Sequence, residues 1–267
     1  MAFKDAGGQR GLYLAEVGRA ERISPHIIRV TIKGDDLRRL PRRGYDHWFR
    51  LFLPRDEGEI DFTALPKQFG MTGYLKFKAS GLADRLAVRN YTVRQHRPEA
   101  GEVDIDFVSH GDAGIGGVWA GRAQPGDPVA LIDQGCGFDP IPDTSFYLLA
   151  GDESAQSAIL GILRDLPRAA RGLALLELPE LADAQQADAP EGIDLRWISR
   201  ADPQATPGAA ALAALKEFQP EYPATLTAYL AGEQTLATEG RSHLLSAGVP
   251  KSRIAFVGYW RAGVAHP

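Results

Sequence analysis

Apolar and polar residues alternate along the first half of the chain. Residues 28–32 and 103–108 alternate in this way, which is the pattern of a half-buried β-strand. Further strands are predicted at residues 12–17, 48–53, 91–93 and 129–132, with glycine or proline turns between them. Six or seven short strands of this kind predict a small antiparallel β-barrel or sandwich.

The pattern changes after a proline-rich joint at residues 138–143. From there, short apolar runs typical of buried parallel strands alternate with segments of helical spacing. Strands are predicted at 146–150, 173–178, 195–198, 225–231 and 254–258, and helices at 155–166, 209–218 and 233–247. This alternation predicts a parallel sheet covered by helices on both faces. We therefore expect two domains, residues 1–139 and residues 140–267.

Composition and charge narrow the class of protein. The chain has 267 residues, of which 44% are hydrophobic and 24% charged, as in soluble globular proteins. A net charge of -4 without a basic run argues against a nucleic-acid partner. Cys136 is the single cysteine, the six histidines lack metal-ligand spacing, and no apolar run is long enough to span a bilayer. The segment after Met1 has no apolar core of a signal peptide. These features predict a cytoplasmic monomer without bound metal or membrane contact.

One short motif combines three kinds of binding group. Arg89, Tyr91 and Thr92 lie within four residues of a predicted strand end. Alternation places Arg89 and Tyr91 on one face and Thr92 on the other. The strand can therefore offer a guanidinium to a phosphate, a flat ring to an aromatic cofactor and a hydroxyl to a polar ring edge. The alternative is an ordinary strand in which Tyr91 packs and Arg89 is solvated.

A glycine-rich segment, residues 108–119, follows directly from a predicted strand. Glycines let the backbone approach a ligand closely, and a helix that begins near Gly116 would direct free N–H groups toward a pyrophosphate. His110 could contact a flavin edge or hydrogen-bond the turn. The alternative is a glycine-rich turn that binds no ligand.

Polar residues follow three of the predicted parallel strands. Residues 151–154 and 232–233 lie at strand ends, where open α/β sheets bind ligands. The glycine fingerprint of dinucleotide-binding sheets is absent, and Asp152 and Glu153 are also suited to capping a helix. Ser199 and Arg200 end the third strand and could hold the 2′-phosphate of NADP, although a solvated arginine is equally compatible.

Taken in order, these stretches resemble the siderophore-interacting protein family, the FAD-containing ferric-siderophore reductases related to ferredoxin reductases. The resemblance covers nearly the whole chain. It is carried by residues 89–92, by 110–114 with 119–120, by 125–127, by 151–154, by 231–233 and by the terminal Gly-Tyr-Trp-Arg-Ala-Gly at 258–263.

The resemblance implies a ferredoxin-reductase-like fold, with an N-terminal antiparallel FAD-binding β-barrel and a C-terminal NAD(P)H-binding α/β domain. The implied FAD residues are Arg89, Tyr91, Thr92, His110, Gly114, Gly116, Gly117, Val118 and Trp119. The implied nucleotide residues are Gly151, Asp152, Glu153, Ser154, Ser199, Arg200, Gly232 and Glu233. Arg50 and Arg261 are implied to bind an anionic ferric siderophore. Electrons would pass from NADPH or NADH through FAD to Fe(III), without a catalytic acid or base.

Two departures from the family pattern leave alternatives open. Residues 133–137 lack the third basic residue expected after the last barrel strand, and Ile115-Gly116 replaces a proline that relatives often carry. The siderophore is therefore undetermined, and ferredoxin stays possible as the electron donor. A flavin or ferredoxin reductase with another acceptor is one alternative function. A siderophore-binding module with a vestigial nucleotide crevice is the other.

Overall fold

The computed structural model describes residues 11–55, 60–66, 71–109 and 114–264. The chain divides into two units. The first comprises Met1–Arg43 and His47–Cys136, and the second comprises Gly44–Asp46 and Gly137–Pro267. Within the described ranges, no helix combines the length and apolarity needed to cross a membrane.

The first unit contains an antiparallel sheet of seven strands in the order β4-β3-β7-β1-β2-β6-β5. The strands are β1 (Leu12–Ser24), β2 (Ile27–Lys33), β3 (Trp48–Pro54), β4 (Leu86–Thr92), β5 (Gln95–Arg97), β6 (Glu102–Val108) and β7 (Pro128–Gly135). The described residues of this unit also form the helices α1 (Met71–Ala79), α2 (Leu82–Arg85) and α3 (Ile115–Arg122). The predicted antiparallel first domain is confirmed.

Alternation along β2 and β6 builds the core of this unit. Val30 lies opposite Ile105, and both side chains are buried in the main apolar cluster. The polar residues between them point to the other face, where Arg29 donates two hydrogen bonds to Asp106 at 2.7 and 2.8 Å. Period-two patterning therefore separates an apolar layer from a layer of ion pairs.

The segment between β3 and β4 has more structure than its sequence indicates. A 3-10 turn at Phe62–Ala64 and the helices α1 and α2 lie there. Phe62 and Phe77 from this segment pack with Phe52 and Ile132 in a second apolar cluster. This cover buries the face of β3 and β7 that the main core leaves open.

The second unit contains a parallel sheet of five strands in the order β10-β9-β8-β11-β12. The strands are β8 (Phe146–Gly151), β9 (Arg171–Leu178), β10 (Gly192–Ser199), β11 (Leu226–Glu233) and β12 (Ile254–Trp260). The helices are α4 (Gln156–Asp165), α5 (Ala209–Glu217) and α6 (Gln234–Ser246). The predicted parallel sheet is confirmed, and its strand order reverses between β8 and β11.

The apolar run of β8 is continuous because both faces of the sheet are covered. Leu149 packs in a cluster with Ile159 of α4, whereas Leu148 packs in a cluster with Leu212 of α5 and Leu236 of α6. Consecutive side chains therefore enter different cores, and no position along the strand remains for a polar residue.

Residues Gly44–Asp46 belong to the second unit although their neighbours in sequence belong to the first. The Tyr45 N–H donates to the Asp165 carboxylate at 2.6 Å. The Asp46 carboxylate accepts from the N–H of Phe138 at 2.9 Å, and burial raises the pKa of Asp46. Gly161 permits this packing, because a Cβ there would lie 2.2 Å from the Tyr45 carbonyl oxygen.

Candidate functional site

In the first unit, one group of candidate residues lies on β4, which pairs with β3. Tyr91 lies opposite Phe49, and Asn90 lies opposite Arg50. Since directly opposed residues share a face, Tyr91 and Arg50 project from opposite faces of the sheet. Thr92, which is buried, shares the face of Arg50. The two strands thus present the Tyr91 ring on one face of the sheet and carry Thr92 and Arg50 on the other.

Tyr91 is enclosed by aromatic and glycine residues. Its ring centroid is 4.3 Å from that of Phe107 on β6, and Phe107 is 5.5 Å from Trp119 on α3. A Cβ on Gly116 would lie 1.9 Å from the Tyr91 hydroxyl oxygen, so this ring requires glycine at position 116. Burial raises the pKa of Tyr91 far above its ordinary value, which keeps the hydroxyl protonated.

Arg89 adds positive charge on the same face as Tyr91. Its Nη1 donates to the Val88 carbonyl at 2.8 Å. Burial lowers the pKa of Arg89, and the positive charge of Arg55 lowers it further. The interaction with Tyr91 raises this pKa but does not outweigh the other two effects. Two guanidiniums near each other create a positive potential that suits a phosphate.

The start of α3 provides backbone donors and space. Gly114 caps the helix with φ +82° and without a side-chain hydrogen bond. The first N–H groups of a helix have no partner within it. Among the described residues, no atom lies within 4 Å of a Cβ placed on Gly114. A Cβ on Gly117 would lie 2.7 Å from the Val108 carbonyl oxygen. Val118 is exposed and Trp119 buried. Backbone donors beside open space are suited to a phosphate group. His110, which the sequence also indicated, lies outside the described residues.

In the second unit, a separate group of candidate residues lies at the carboxyl edge of the parallel sheet. The Asp152 carboxylate accepts from the N–H of Glu233 at 2.6 Å and from the N–H of Ser154 at 2.9 Å. A Cβ on Gly232 would lie 2.6 Å from this carboxylate. Four predicted residues, from the ends of β8 and β11, therefore meet where the strand order reverses. Gly151 ends β8 and is itself enclosed, since a Cβ there would lie 2.8 Å from the Ala231 carbonyl oxygen.

Glu233 connects this edge to the terminal motif. Its carboxylate caps α6 by accepting from the Thr235 N–H, and its Oε1 accepts from the Ala262 N–H at 3.2 Å. Burial raises the pKa of Glu233, but the hydrogen bonds from Ala262 and Thr235 outweigh burial and hold it below the ordinary value. Glu233 thereby anchors the backbone next to Arg261, whose side chain is exposed.

Arg200 is neither solvated nor isolated. Its Nη2 lies 2.5 Å from Glu153 Oε2, and its Nε lies 2.8 Å from Glu177 Oε1. Both carboxylates are buried, whereas the neighbouring Ser199 is exposed. The structure therefore brings Arg200 together with Glu153 and adds Glu177, which the sequence analysis did not single out. The sequence does indicate a buried partner for Glu177, because Glu177 is the only charged residue in the otherwise apolar run 173–178.

A further ion-pair cluster lies at the end of β7, where the third basic residue was expected. Arg43 Nη2 lies 2.6 Å from Asp133 Oδ2, and His47 Nε2 lies 2.9 Å from Asp133 Oδ1. Burial raises the pKa of Asp133, but hydrogen bonds from His47 and Arg43 dominate and lower it to about 2. The guanidinium found next to residues 133–137 therefore comes from Arg43, and the Asp133 carboxylate neutralises it.

Comparison of the fold defines the class. The ferredoxin reductase of carbazole 1,9a-dioxygenase superposes with a TM-score of 0.65 at 17% identity, covering 93% of this chain and 69% of that chain. The likeness shows a shared fold, and the predicted ferredoxin-reductase-like fold is confirmed. The first unit also matches the family model of the siderophore-interacting FAD-binding domain over residues 16–136. The chain is an FAD-dependent oxidoreductase of this fold.

Three further comparisons define the family. The siderophore-interacting protein model matches residues 144–263. Ferric vibriobactin reductase ViuB of Vibrio cholerae is 32% identical over 252 residues, which cover 94% of this chain and 89% of ViuB. The crystal structure of SipS from Aeromonas hydrophila, at 27% identity, has a TM-score of 0.78 and covers 97% of this chain and 94% of that chain. The chain belongs to the siderophore-interacting protein family.

The contact between Tyr91 and Gly116 yields the first prediction. We expect Gly116→Ala to weaken FAD binding by about tenfold, because the added methyl group displaces the Tyr91 ring. Titration of the apoprotein with FAD, followed by flavin fluorescence, measures the effect. Gly121→Ala on the same helix is the control, since its Cβ would meet only Ile28 at 3.8 Å. Adding Tyr91→Phe should relieve the loss; equal FAD affinity in Gly116→Ala and Gly121→Ala would contradict the prediction.

The second prediction concerns Asp152 and pH. Burial, reinforced by the charge of Glu153, raises the pKa of Asp152 from 3.8 to about 6. The folded state therefore holds this proton more tightly than the unfolded state. Its contribution to stability is present below pH 4 and is lost as pH rises through 6.

We expect the free energy of unfolding of wild type, relative to Asp152→Asn, to fall by about 2–3 kcal/mol between pH 4 and pH 7. Urea unfolding at several pH values measures this difference. Asp194→Asn, which removes an exposed carboxylate of the same unit, is the control. Parallel pH profiles for wild type and Asp152→Asn would show that Asp152 does not titrate in this range.

Proposed function

We propose that this chain is a ferric-siderophore reductase, which passes electrons from NAD(P)H through FAD to siderophore-bound Fe(III) and releases Fe(II). ViuB, a relative over 94% of the chain, is named a ferric reductase, and an Escherichia coli relative, 26% identical over 68% of both chains, is named an NADPH-dependent ferric-chelate reductase. The observation that carries the proposal is the packing of β4 against α3. The Tyr91 hydroxyl lies against Gly116 there, and Arg89 is on the same face of β4 as Tyr91.

The first unit supplies the groups that would hold FAD. Arg89 would pair with a phosphate, the free N–H groups at the start of α3 would bind the pyrophosphate, and Thr92 would hydrogen-bond the polar edge of the ring system. Tyr91, which is protonated and only partly buried, would provide a flat surface beside that ring system. FAD, when bound, couples a two-electron donor to a one-electron acceptor.

The second unit supplies the groups that would hold the nucleotide. Its sheet reverses strand order between β8 and β11, and ligands of open α/β sheets bind at such a point. Residues 151–154 and 232–233 line that edge. The Asp152 carboxylate, bonded to the N–H groups of Ser154 and Glu233, holds the two strand ends at a fixed spacing.

Arg50 and Arg261 would attract the substrate. A ferric siderophore with hard oxygen donors is anionic, and positive side chains raise its local concentration. Arg50 lies on the face of β3 and β4 that also carries Thr92. Arg261 follows β12 and is exposed. Fe(II) binds hard oxygen ligands less tightly than Fe(III), so one-electron reduction releases the metal.

The test of the proposed function is anaerobic absorption spectroscopy of the FAD-loaded chain. We expect NADH or NADPH to bleach the flavin bands, and a ferric siderophore then to restore them while a chelator traps Fe(II). Recovery with free flavin or ferredoxin, but not with ferric chelates, would point to a reductase with another acceptor. A flavin spectrum that neither nucleotide changes would point to a non-catalytic siderophore-binding module.

The basic residues yield a further prediction. We expect Arg50→Glu and Arg261→Glu each to raise the KM for an anionic ferric chelate by about tenfold at low salt, because charge reversal replaces attraction by repulsion. The difference from wild type should shrink as ionic strength increases. Steady-state kinetics at several salt concentrations measure both effects. Arg168→Glu, at an exposed ion pair, is the control; a KM equal to that of the control would remove the residue from the substrate site.

A further inference from the structure

Arg200 joins three elements of the second unit. It follows β10 directly, Glu153 lies in the turn after β8, and Glu177 lies in β9. The backbone N–H of Arg200 also donates to the Leu178 carbonyl at 2.8 Å. Its side chain is 8% exposed, and those of Glu153 and Glu177 are 1% and 0% exposed. The guanidinium therefore lies inside the protein and faces two carboxylates.

Glu177 cannot move to accommodate a different position of Arg200. Its second oxygen accepts from the N–H groups of Ala210 at 2.7 Å and Ala211 at 3.1 Å, in the first turn of α5. One carboxylate thus caps a helix and pairs with the guanidinium at the same time. If Arg200 turned toward a bound phosphate, it would leave two buried carboxylates without their cation, and such an uncompensated charge is strongly unfavourable.

The surrounding loops are acidic. Residues 179–191, between β9 and β10, contain Glu180, Asp183, Asp188 and Glu191 and no lysine or arginine. Residues 201–208, between Arg200 and α5, contain Asp202 and again no basic residue. Arg200 is the only lysine or arginine within residues 179–191 and 200–208, and it is already neutralised; Arg168, which precedes β9, pairs with Asp188 at 2.9 Å but lies outside these connections. A second phosphate on the adenosine ribose would therefore meet negative potential, whereas a ribose hydroxyl can donate to carboxylates.

We infer that the nucleotide donor of this chain is NADH rather than NADPH, and that Arg200 is a positioning residue held by Glu153 and Glu177 instead of a ligand for a 2′-phosphate. The inference rests on the proposed function, in which a nicotinamide nucleotide reduces the bound FAD. It reverses the role that the sequence suggested for Arg200. It also turns Glu153 into a specificity-determining residue, since Glu153 keeps the guanidinium away from the nucleotide.

The experiment compares the two nucleotides on the FAD-loaded full chain. Stopped-flow measurement of flavin reduction gives kcat/KM for each, and calorimetric titration with 2′,5′-ADP and with 5′-ADP gives binding without turnover. We expect wild type to favour NADH by about tenfold or more and to bind 2′,5′-ADP no better than 5′-ADP. Glu153→Gln keeps the shape and removes one of the two carboxylates that face Arg200; Glu177 still holds the guanidinium, but its charge is then less fully compensated, so the preference should narrow by about tenfold, mainly through a lower KM for NADPH.

Two matched variants complete the test. Asp194→Asn removes an exposed carboxylate paired with Arg196 on β10 and should leave the nucleotide preference at its wild-type value. Arg200→Lys keeps the charge and should keep the preference for NADH. If Glu153→Gln does not fold, Arg200→Lys still tests whether the Arg200 side chain contributes to nucleotide preference.

A wild-type preference for NADPH that Arg200→Lys reduces, or tight 2′,5′-ADP binding that it weakens, would overturn the inference and leave the proposed function intact. A flavin that neither nucleotide reduces would overturn both.

Discussion

The constraint on which this structure depends is that every carboxylate placed inside it must find donors there. A buried carboxylate that loses its partner costs on the order of 3–5 kcal/mol. In the first unit, Asp133 is bound by Arg43 and His47. In the second unit, Asp152 accepts from backbone N–H groups at the ends of two strands, and Glu177 joins Arg200 to the start of α5. Each pairing fixes the geometry of a strand end, and strand ends are where the predicted ligands bind.

Glycines at three positions also allow close packing, because they have no side chain. Gly116 leaves room for the Tyr91 hydroxyl, Gly232 for the Asp152 carboxylate and Gly161 for the Tyr45 carbonyl. In all three places an ideal Cβ would lie within 2.6 Å of the neighbouring atom, which is closer than nonbonded atoms approach. The glycines of this chain therefore let backbone and polar groups meet at short range, in addition to allowing turns. Gly116 and Gly232 lie among the candidate residues of the first and the second unit respectively, so close packing as well as charge shapes each group.

The candidate residues were chosen from the sequence, but the carboxylates that pair with Arg200 were not identified there. The strand and glycine motifs were found because each occupies consecutive residues, and the same is true of residues 151–154. Glu177 was overlooked, although a lone glutamate in an apolar strand indicates a buried partner. Arg200 was placed correctly at the end of its strand, but its contacts with Glu153 and Glu177 span 47 and 23 residues of sequence. No local pattern indicates which distant carboxylates a guanidinium will face.

The amino-acid sequence by itself determined that the chain has an antiparallel sheet in its first half and a parallel sheet in its second half. Those properties follow from residue spacing of two or about 3.6, which neighbours along the chain set together. Only the tertiary structure decided that Gly44–Asp46 packs in the second unit and that Arg43 brings its charge to Asp133. It likewise decided that Arg200 is neutralised inside the second unit. These outcomes depend on which surfaces meet after the chain has folded. A carboxylate and its donor can then be far apart in sequence, 90 positions for Asp133 and Arg43 and 120 for Asp165 and Tyr45.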